Sequence, residues 1–160
     1  MSQTILVPLD LNQDAVFDSV FENVKRVAGN TGATVILLSV IPQIDAGDFP
    51  YVGTDYVRKL GETAHAQLER VGRQYLGEDG NWQVDVRVGP VARTIVRRAD
   101  HFGADLIVMA SHNPKFWDVL LGSIASQVVK HSQHSVLVVR QKREPHAADI
   151  HDESRDPLAD

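Results

Sequence analysis

Apolar and polar positions along the chain fall into two alternating kinds of segment. Short, nearly continuous apolar runs occur at Gln3 to Pro8, Ala33 to Val40, Asp105 to Ala110 and Ser135 to Val139. Runs of that length suit strands covered on both faces. Between them the apolar residues recur three or four apart. Phe17, Val20, Phe21, Val24, Val27 and Ala28 predict a helix from about Asp14 that stops at Gly29 and Asn30. Tyr56, Leu60, Ala64, Leu68, Val71 and Tyr75 predict a second, after a loop over residues 43–54 that carries Gly47, Pro50 and Gly53. Trp82 to Val88 differs from the other runs by strict alternation, the pattern of an edge strand. Gly89-Pro90 opens a third helix with Val91, Ile95, Ala99 and Phe102 on one face and Gly103 beyond its end. After a loop over residues 111–119, Leu121 to Ser132 presents Leu121, Ile124, Ala125, Val128 and Val129 as a fourth helical face.

Five strands alternating with four helices predict an α/β fold, a single doubly wound domain with a parallel sheet covered by helices on both faces. With the alternating strand at one edge, the expected order is 3-2-1-4-5. Direction then reverses between the first and fourth strands, and a ligand binds beside such a reversal at the carboxyl ends of the strands. Those ends are Pro8, Leu9 and Asp10 on one side and Ala110, Ser111, His112 and Asn113 on the other.

Composition narrows the function classes. With no cysteine, disulfide frameworks, thiolate metal sites and thiol nucleophiles are excluded. No apolar run approaches the roughly 20 residues that cross a membrane, so no membrane insertion is expected. The first residues run straight into a strand without a basic leader, which makes the expected location cytoplasmic. Net charge is −5, of which residues 141–160 supply −3, six acidic side chains against three basic. An acidic chain is a poor partner for nucleic acid, and the tail itself, with little to bury, is expected to be disordered beyond a domain at residues 1–140. Four of the seven histidines, His131, His134, His146 and His151, lack a third ligand at a supporting spacing, so no metal site is expected. Neither G-x-S-x-G nor GxxxxGK[ST] occurs. Arg93, Arg97 and Arg98 read as a solvated helix face.

One feature near the reversal carries chemistry. At Gly122-Ser123, with Ile124 next, a loop meets the fourth helix, so backbone N–H groups and the positive end of the helix dipole point into the crevice. Ser123 either bonds a phosphate oxygen or caps the helix. Ser126, one turn on, faces either the phosphates or solvent. His112 and Lys115 offer positive charge to phosphates or belong to a solvated loop. Asp10 is otherwise an ordinary cap or turn carboxylate.

The segments ILVPLD, LLSVIP, VGPVARTIVRRA and ASHNPKFWDVLLGSIASQVVKHSQHSVLVVR, in that order, resemble the universal stress protein family over about residues 3–140. The nucleotide-binding branch of that family carries G-x2-G-x9-G-[ST]. Gly122 and Ser123 match its final pair, whereas Ala110 and Asn113 stand where the first two glycines would be and eight residues, not nine, follow Asn113. A subset with S-H-x-P…LLGS has this form. The resemblance implies ATP or another adenine nucleotide in the crevice, magnesium being an option with it, and a regulatory role in stress response. It places Asp10 against adenosine and the end of the second strand, at Val40, along the adenine edge. It also implies a homodimer paired through Ser135 to Val139, with an unidentified protein partner. Two alternatives stay open: slow ATP hydrolysis, which needs a base that only Asp10 offers, and a non-nucleotide interaction dimer whose pocket Ala110 and Asn113 have closed.

Overall fold

The computed structural model describes residues 2–43, 53–111 and 121–140. The loop and tail readings for 44–52, 112–120 and 141–160 lie outside the described residues. Five strands are present: β1 (Thr4–Pro8), β2 (Thr34–Ile41), β3 (Trp82–Val88), β4 (Leu106–Ala110) and β5 (Ser135–Val139). They alternate with α1 (Phe17–Ala28), α2 (Thr54–Leu76), α3 (Val91–Phe102) and α4 (Ser123–His131), and a short 3₁₀ turn at Asp14–Val16 leads into α1. All pairings are parallel and the order is β3-β2-β1-β4-β5, as the alternation of elements predicts.

Period two explains why the strands read as continuous apolar runs. Ile5, Val7, Val35, Leu37 and Val108 point to one side, where they pack with Phe17, Val20, Phe21 and Val24 of α1 and Leu68 of α2. Leu6, Ile36, Leu38, Ile107 and Met109 point to the other, against Ala92, Ile95 and Ala99 of α3 and Ala125 and Val128 of α4. Each central strand residue therefore meets a core, whichever way it faces. The division of helices follows from chirality. Connections running outward from β1 to β3 place their helices on one side, and connections running back from β3 to β5 place theirs on the other, because parallel crossovers keep one hand.

The two sheet edges differ. On β3 the Asp85 side chain is buried between Arg98 and Arg87, at 2.6 Å from Arg98 Nε and 2.8 Å from Arg87 Nε. Arg98 also lies 4.8 Å from the centroid of the Phe102 ring. This corrects the sequence expectation for the basic run: Arg93 and Arg97 are solvated, but Arg98 is turned inward. The signal was one buried acid on an edge strand, which no spacing rule on α3 itself reveals. The β5 edge carries no such charge, and its Val136, Leu137 and Val138 are partly exposed. His134, just before β5, holds this edge to the end of α3, with Nδ1 2.7 Å from the Ala104 carbonyl and Nε2 2.7 Å from Asp100 Oδ1.

Helices α1 and α2 are strapped together by Tyr75. Its ring stacks on Phe21 at 4.4 Å, and its hydroxyl donates to Asp18 Oδ1 at 2.6 Å. That hydrogen bond, then desolvation and the neighbouring negative charge, pushes the phenol from 10.0 up to about 12. Because the folded value is raised, the strap's contribution is fully present below pH 10 and is lost as pH rises towards 12. Ultraviolet titration of tyrosinate, with Tyr75→Phe identifying its component, is expected to show a phenol ionising near 12. Asp18→Asn should move that component back towards the ordinary value; an unchanged titration in this variant would show that Asp18 is not the cause.

Candidate functional site

Parallel strands in a doubly wound sheet all end on one edge, and among the described residues the pairing at that edge ends earliest between β1 and β4. β1 and β2 pair over five residues, as do β4 and β5. Their ladders continue beyond the strands through Leu9 N–H to the Leu38 carbonyl (2.8 Å) and Ser111 N–H to the Val139 carbonyl (2.9 Å). β1 and β4, by contrast, pair only at Ile5 with Leu106 and Leu6 with Ile107. Along β1 the odd residues bond towards β2, as Leu9 does, and the even ones towards β4, as the Thr4 carbonyl does with Asp105 N–H. Position 8 therefore turns its backbone to β4, and position 8 is proline, which has no N–H to give. The ladder stops, so β1 and β4 are unpaired beyond Leu6 and Ile107.

Above this parting lies a cleft of about 750 Å³, a size at which small-molecule sites are commonly built. Of the residues expected from sequence, Pro8, Leu9, Asp10, Val40, Ala110, Ser123 and Ile124 line it. Ser111, Gly122 and Ser126 are not among the residues that line it. His112, Asn113 and Lys115 lie outside the described residues, and with them most of the S-H-x-P stretch.

The α4 end is built as follows. Gly122 is the residue that caps the helix, so it contributes no side-chain cap, and Ser123 is already the first helical residue. The capping role for Ser123 is thus excluded by one position. Gly122 N–H points to Ser111 Oγ at 3.4 Å, Ser126 N–H closes the first helical bond to the Gly122 carbonyl at 2.8 Å, and Ser126 Oγ donates to the Leu121 carbonyl at 3.2 Å. The first-turn amides of Ser123, Ile124 and Ala125 have no intrahelical acceptor by construction, and all three residues line the cleft. Gly122 has φ −54°, open to any residue, so no special backbone conformation calls for glycine there. Ala110, in the place of a family glycine, is the last residue of β4, paired with Val139, and no non-glycine residue among those described has positive φ. An alanine methyl is accommodated there without strain.

On the opposite lip, Asp10 is exposed and one carboxylate oxygen accepts the Asn12 N–H at 3.0 Å, while the Asp10 carbonyl accepts the Gln13 N–H at 2.9 Å. It is a turn carboxylate, and the turn aims it along the cleft wall. Val40 is partly buried at the end of β2. There the chain is held by the Gly89 N–H to the Ile41 carbonyl at 3.0 Å, and Gly89 has φ +153° with Thr94 Oγ1 3.0 Å from where a Cβ would stand.

Sequence reasoning missed a whole wall. Val16, Phe17 and Val20 beside α1 and Leu60, Thr63, Ala64 and Gln67 on α2 also line the cleft, as do Val91 and Ile95 of α3. Helical periodicity marks such residues as inward-facing but not whether a core or a cavity lies inward. Ser39 carried a legible signal: it is the one polar residue in VILLSVI, it is 6% exposed, and it lies in the wall.

Residues 1–140 match the model of the universal stress protein family. The chain belongs to that family. Universal stress protein G of Escherichia coli O157:H7 is 29% identical over 143 residues, spanning 88% of this chain and all of the relative. Among solved structures, that of the hypothetical protein MJ0577 superposes with a TM-score of 0.75 at 29% identity, covering 90% of this chain and 99% of the other. A universal stress protein solved in complex with cAMP shares the fold at 21% identity, with a TM-score of 0.66 over 88% of this chain and 98% of that one. Across this universal stress fold, Pro8 is the residue on which the cleft turns. Pro8→Ala returns the missing donor, so the variant is expected to fold, to extend the β1–β4 ladder and to narrow the cleft. Hydrogen exchange read by NMR should then find a protected amide at position 8; rapid exchange there would show that the parting has another cause.

Proposed function

We propose that this universal stress protein binds an adenine nucleotide in the cleft between β1 and β4 and acts as a regulatory module whose contacts with a protein partner depend on that nucleotide. The observation that carries the reading is the start of α4: Ser123, Ile124 and Ala125, whose first-turn amides have no intrahelical acceptor and no side-chain cap from Gly122, line the same cleft as Asp10. An anion at a helix N-terminus meets donors and a favourable dipole. In this reading the phosphate lies at Ser123 to Ala125, the ribose lies by Asp10, and the adenine extends towards Val40 and Ser39. The family supplies the ligand class; the fold-mate with cAMP, at 21% identity, supplies only fold. Magnesium accompanies the nucleotide as an option. Hydrolysis is the weaker reading, because the acid that lines the cleft is assigned to the ribose and a general base is needed at the phosphate.

The test uses a substitution that removes a donor and keeps the helix. Ser123 occupies the first helical position, where proline is tolerated, and Gly122 already has the extended backbone that a following proline requires. Ser123→Pro should therefore leave the circular dichroism unchanged and weaken AMP or ATP binding in calorimetry by about tenfold to a hundredfold, the loss of one charge-assisted hydrogen bond worth on the order of 1.5–3 kcal/mol. Asp10→Ala should weaken binding from the other end. Wild-type affinity in both folded variants would place the nucleotide elsewhere.

We also propose a homodimer through β5. Its edge is apolar and partly exposed, whereas the β3 edge holds the inward charges of Asp85 and Arg98. An edge of the first kind pairs and one of the second kind resists pairing. Sedimentation should give a dimer at micromolar concentration and a monomer for Leu137→Lys; a monomeric wild type would contradict it.

A further inference from the structure

Ser39 is the polar residue in the buried run of β2, and the fold does not use its side chain. Its backbone is paired with Val86 of β3, and by period two its side chain shares a face with Val35 and Leu37, on the side of α1 and α2. Its surroundings on that face are apolar, with Leu9 just beyond β1 on one side and Val86 on the other. An alanine would fill such a place without polar cost, since a buried hydroxyl is unfavourable unless something bonds it. The other buried polar side chain among the described residues, Asp85, has both oxygens bonded to arginine. Ser39 is 6% exposed, and among the described residues its hydroxyl has no hydrogen-bond partner. No side-chain nitrogen or oxygen there is both inaccessible and unpaired, so this hydroxyl is reached from outside, and the opening beside it is the cleft it lines.

Resting on the nucleotide reading above, we propose that Ser39 contacts the base: its hydroxyl donates a hydrogen bond to a ring nitrogen of the bound adenine and fixes how the base lies against β2. In the sheet β2 stands two places from β4, about 10 Å away at the usual strand spacing. Ser39 faces α1 and α2, whereas α4 packs on the opposite face. A ligand anchored at the start of α4 therefore reaches Ser39 only by crossing the carboxyl edge where β1 and β4 are unpaired, and the part that arrives is its far end, the base. A serine hydroxyl can donate or accept, and the ring nitrogens of adenine are acceptors, which calls for the donor. The walls beside it, Leu9, Phe17 and Val40, are apolar. In a cleft of that kind a single placed polar group sets the orientation of the ligand while the apolar surface holds it.

The experiment compares wild type with Ser39→Ala. In the nucleotide-free protein the melting temperature of the variant should equal or exceed that of wild type, because the hydroxyl removed bonds nothing in the fold. Calorimetric titration with AMP should find its affinity lowered by roughly twofold to tenfold, the loss of one neutral hydrogen bond. Repeating both titrations with 1-deaza-AMP, 3-deaza-AMP and 7-deaza-AMP, each of which replaces one ring nitrogen by CH, identifies the acceptor. The penalty of the substitution should vanish for one analogue and persist for the other two. A lowered melting temperature, an unchanged affinity for AMP in Ser39→Ala, or a penalty equal for all three analogues overturns the contact while leaving the nucleotide site in place. A wild type that binds none of these ligands overturns the nucleotide reading itself, and the contact with it.

Discussion

A missing hydrogen-bond donor organises this molecule's working edge. Pro8 sits where the backbone of β1 faces β4, and without an N–H the ladder between the two central strands ends after Leu6 and Ile107. Every other neighbouring pair of strands stays bonded further towards the carboxyl edge. The consequence is local. The sheet keeps its continuous two-sided core below the parting, and the helices that follow β1 and β4, α1 and α4, pack on opposite faces, as the reversal of strand order requires. The cleft thus lies where topology puts it, beyond the residue at which the ladder ends.

What the cleft presents follows from elements fixed for packing reasons. α4 is held by Ala125 and Val128 in the core with α3, which aims its first turn at the gap. Around that start, Gly122 N–H donates to Ser111 Oγ and Ser126 Oγ donates to the Leu121 carbonyl. Asp10 is directed by its own turn. Donors on one lip, an acceptor on the other and apolar surface between them are the requirements of a ligand with an anionic end and a flat aromatic end.

Much of this was legible in the chain. β3 and β5 begin and end where alternation and the apolar run place them, because edge strands are bounded by turn residues, here Gly80 and Gly89 around β3 and Arg140 after β5. Sheet order was legible for the same reason. The start of α1 was less so: Asp14–Val16 winds as a 3₁₀ turn, and helical spacing does not separate the two windings over three residues. Arg98 was misread because its partner, Asp85, is distant in sequence. The α1 and α2 wall of the cleft was invisible because inward-facing residues look alike whether they meet side chains or space. Ser111, Gly122 and Ser126 were expected in the site, but they do not line the cleft, and the hydrogen bonds they make around the start of α4 are not readable from spacing.

The central claim is that a nucleotide is held across the parting of β1 and β4, phosphate at α4 and sugar at Asp10. Amide chemical-shift perturbation on titrating AMP into the labelled protein reads both lips at once. The account predicts shifts concentrated at Leu9, Asp10, Ser39, Val40, Ser111 and Ser123 to Ala125, with the largest at the first turn of α4 and little change along the Tyr75 strap. Shifts confined to another surface, or none at saturating nucleotide, would contradict it.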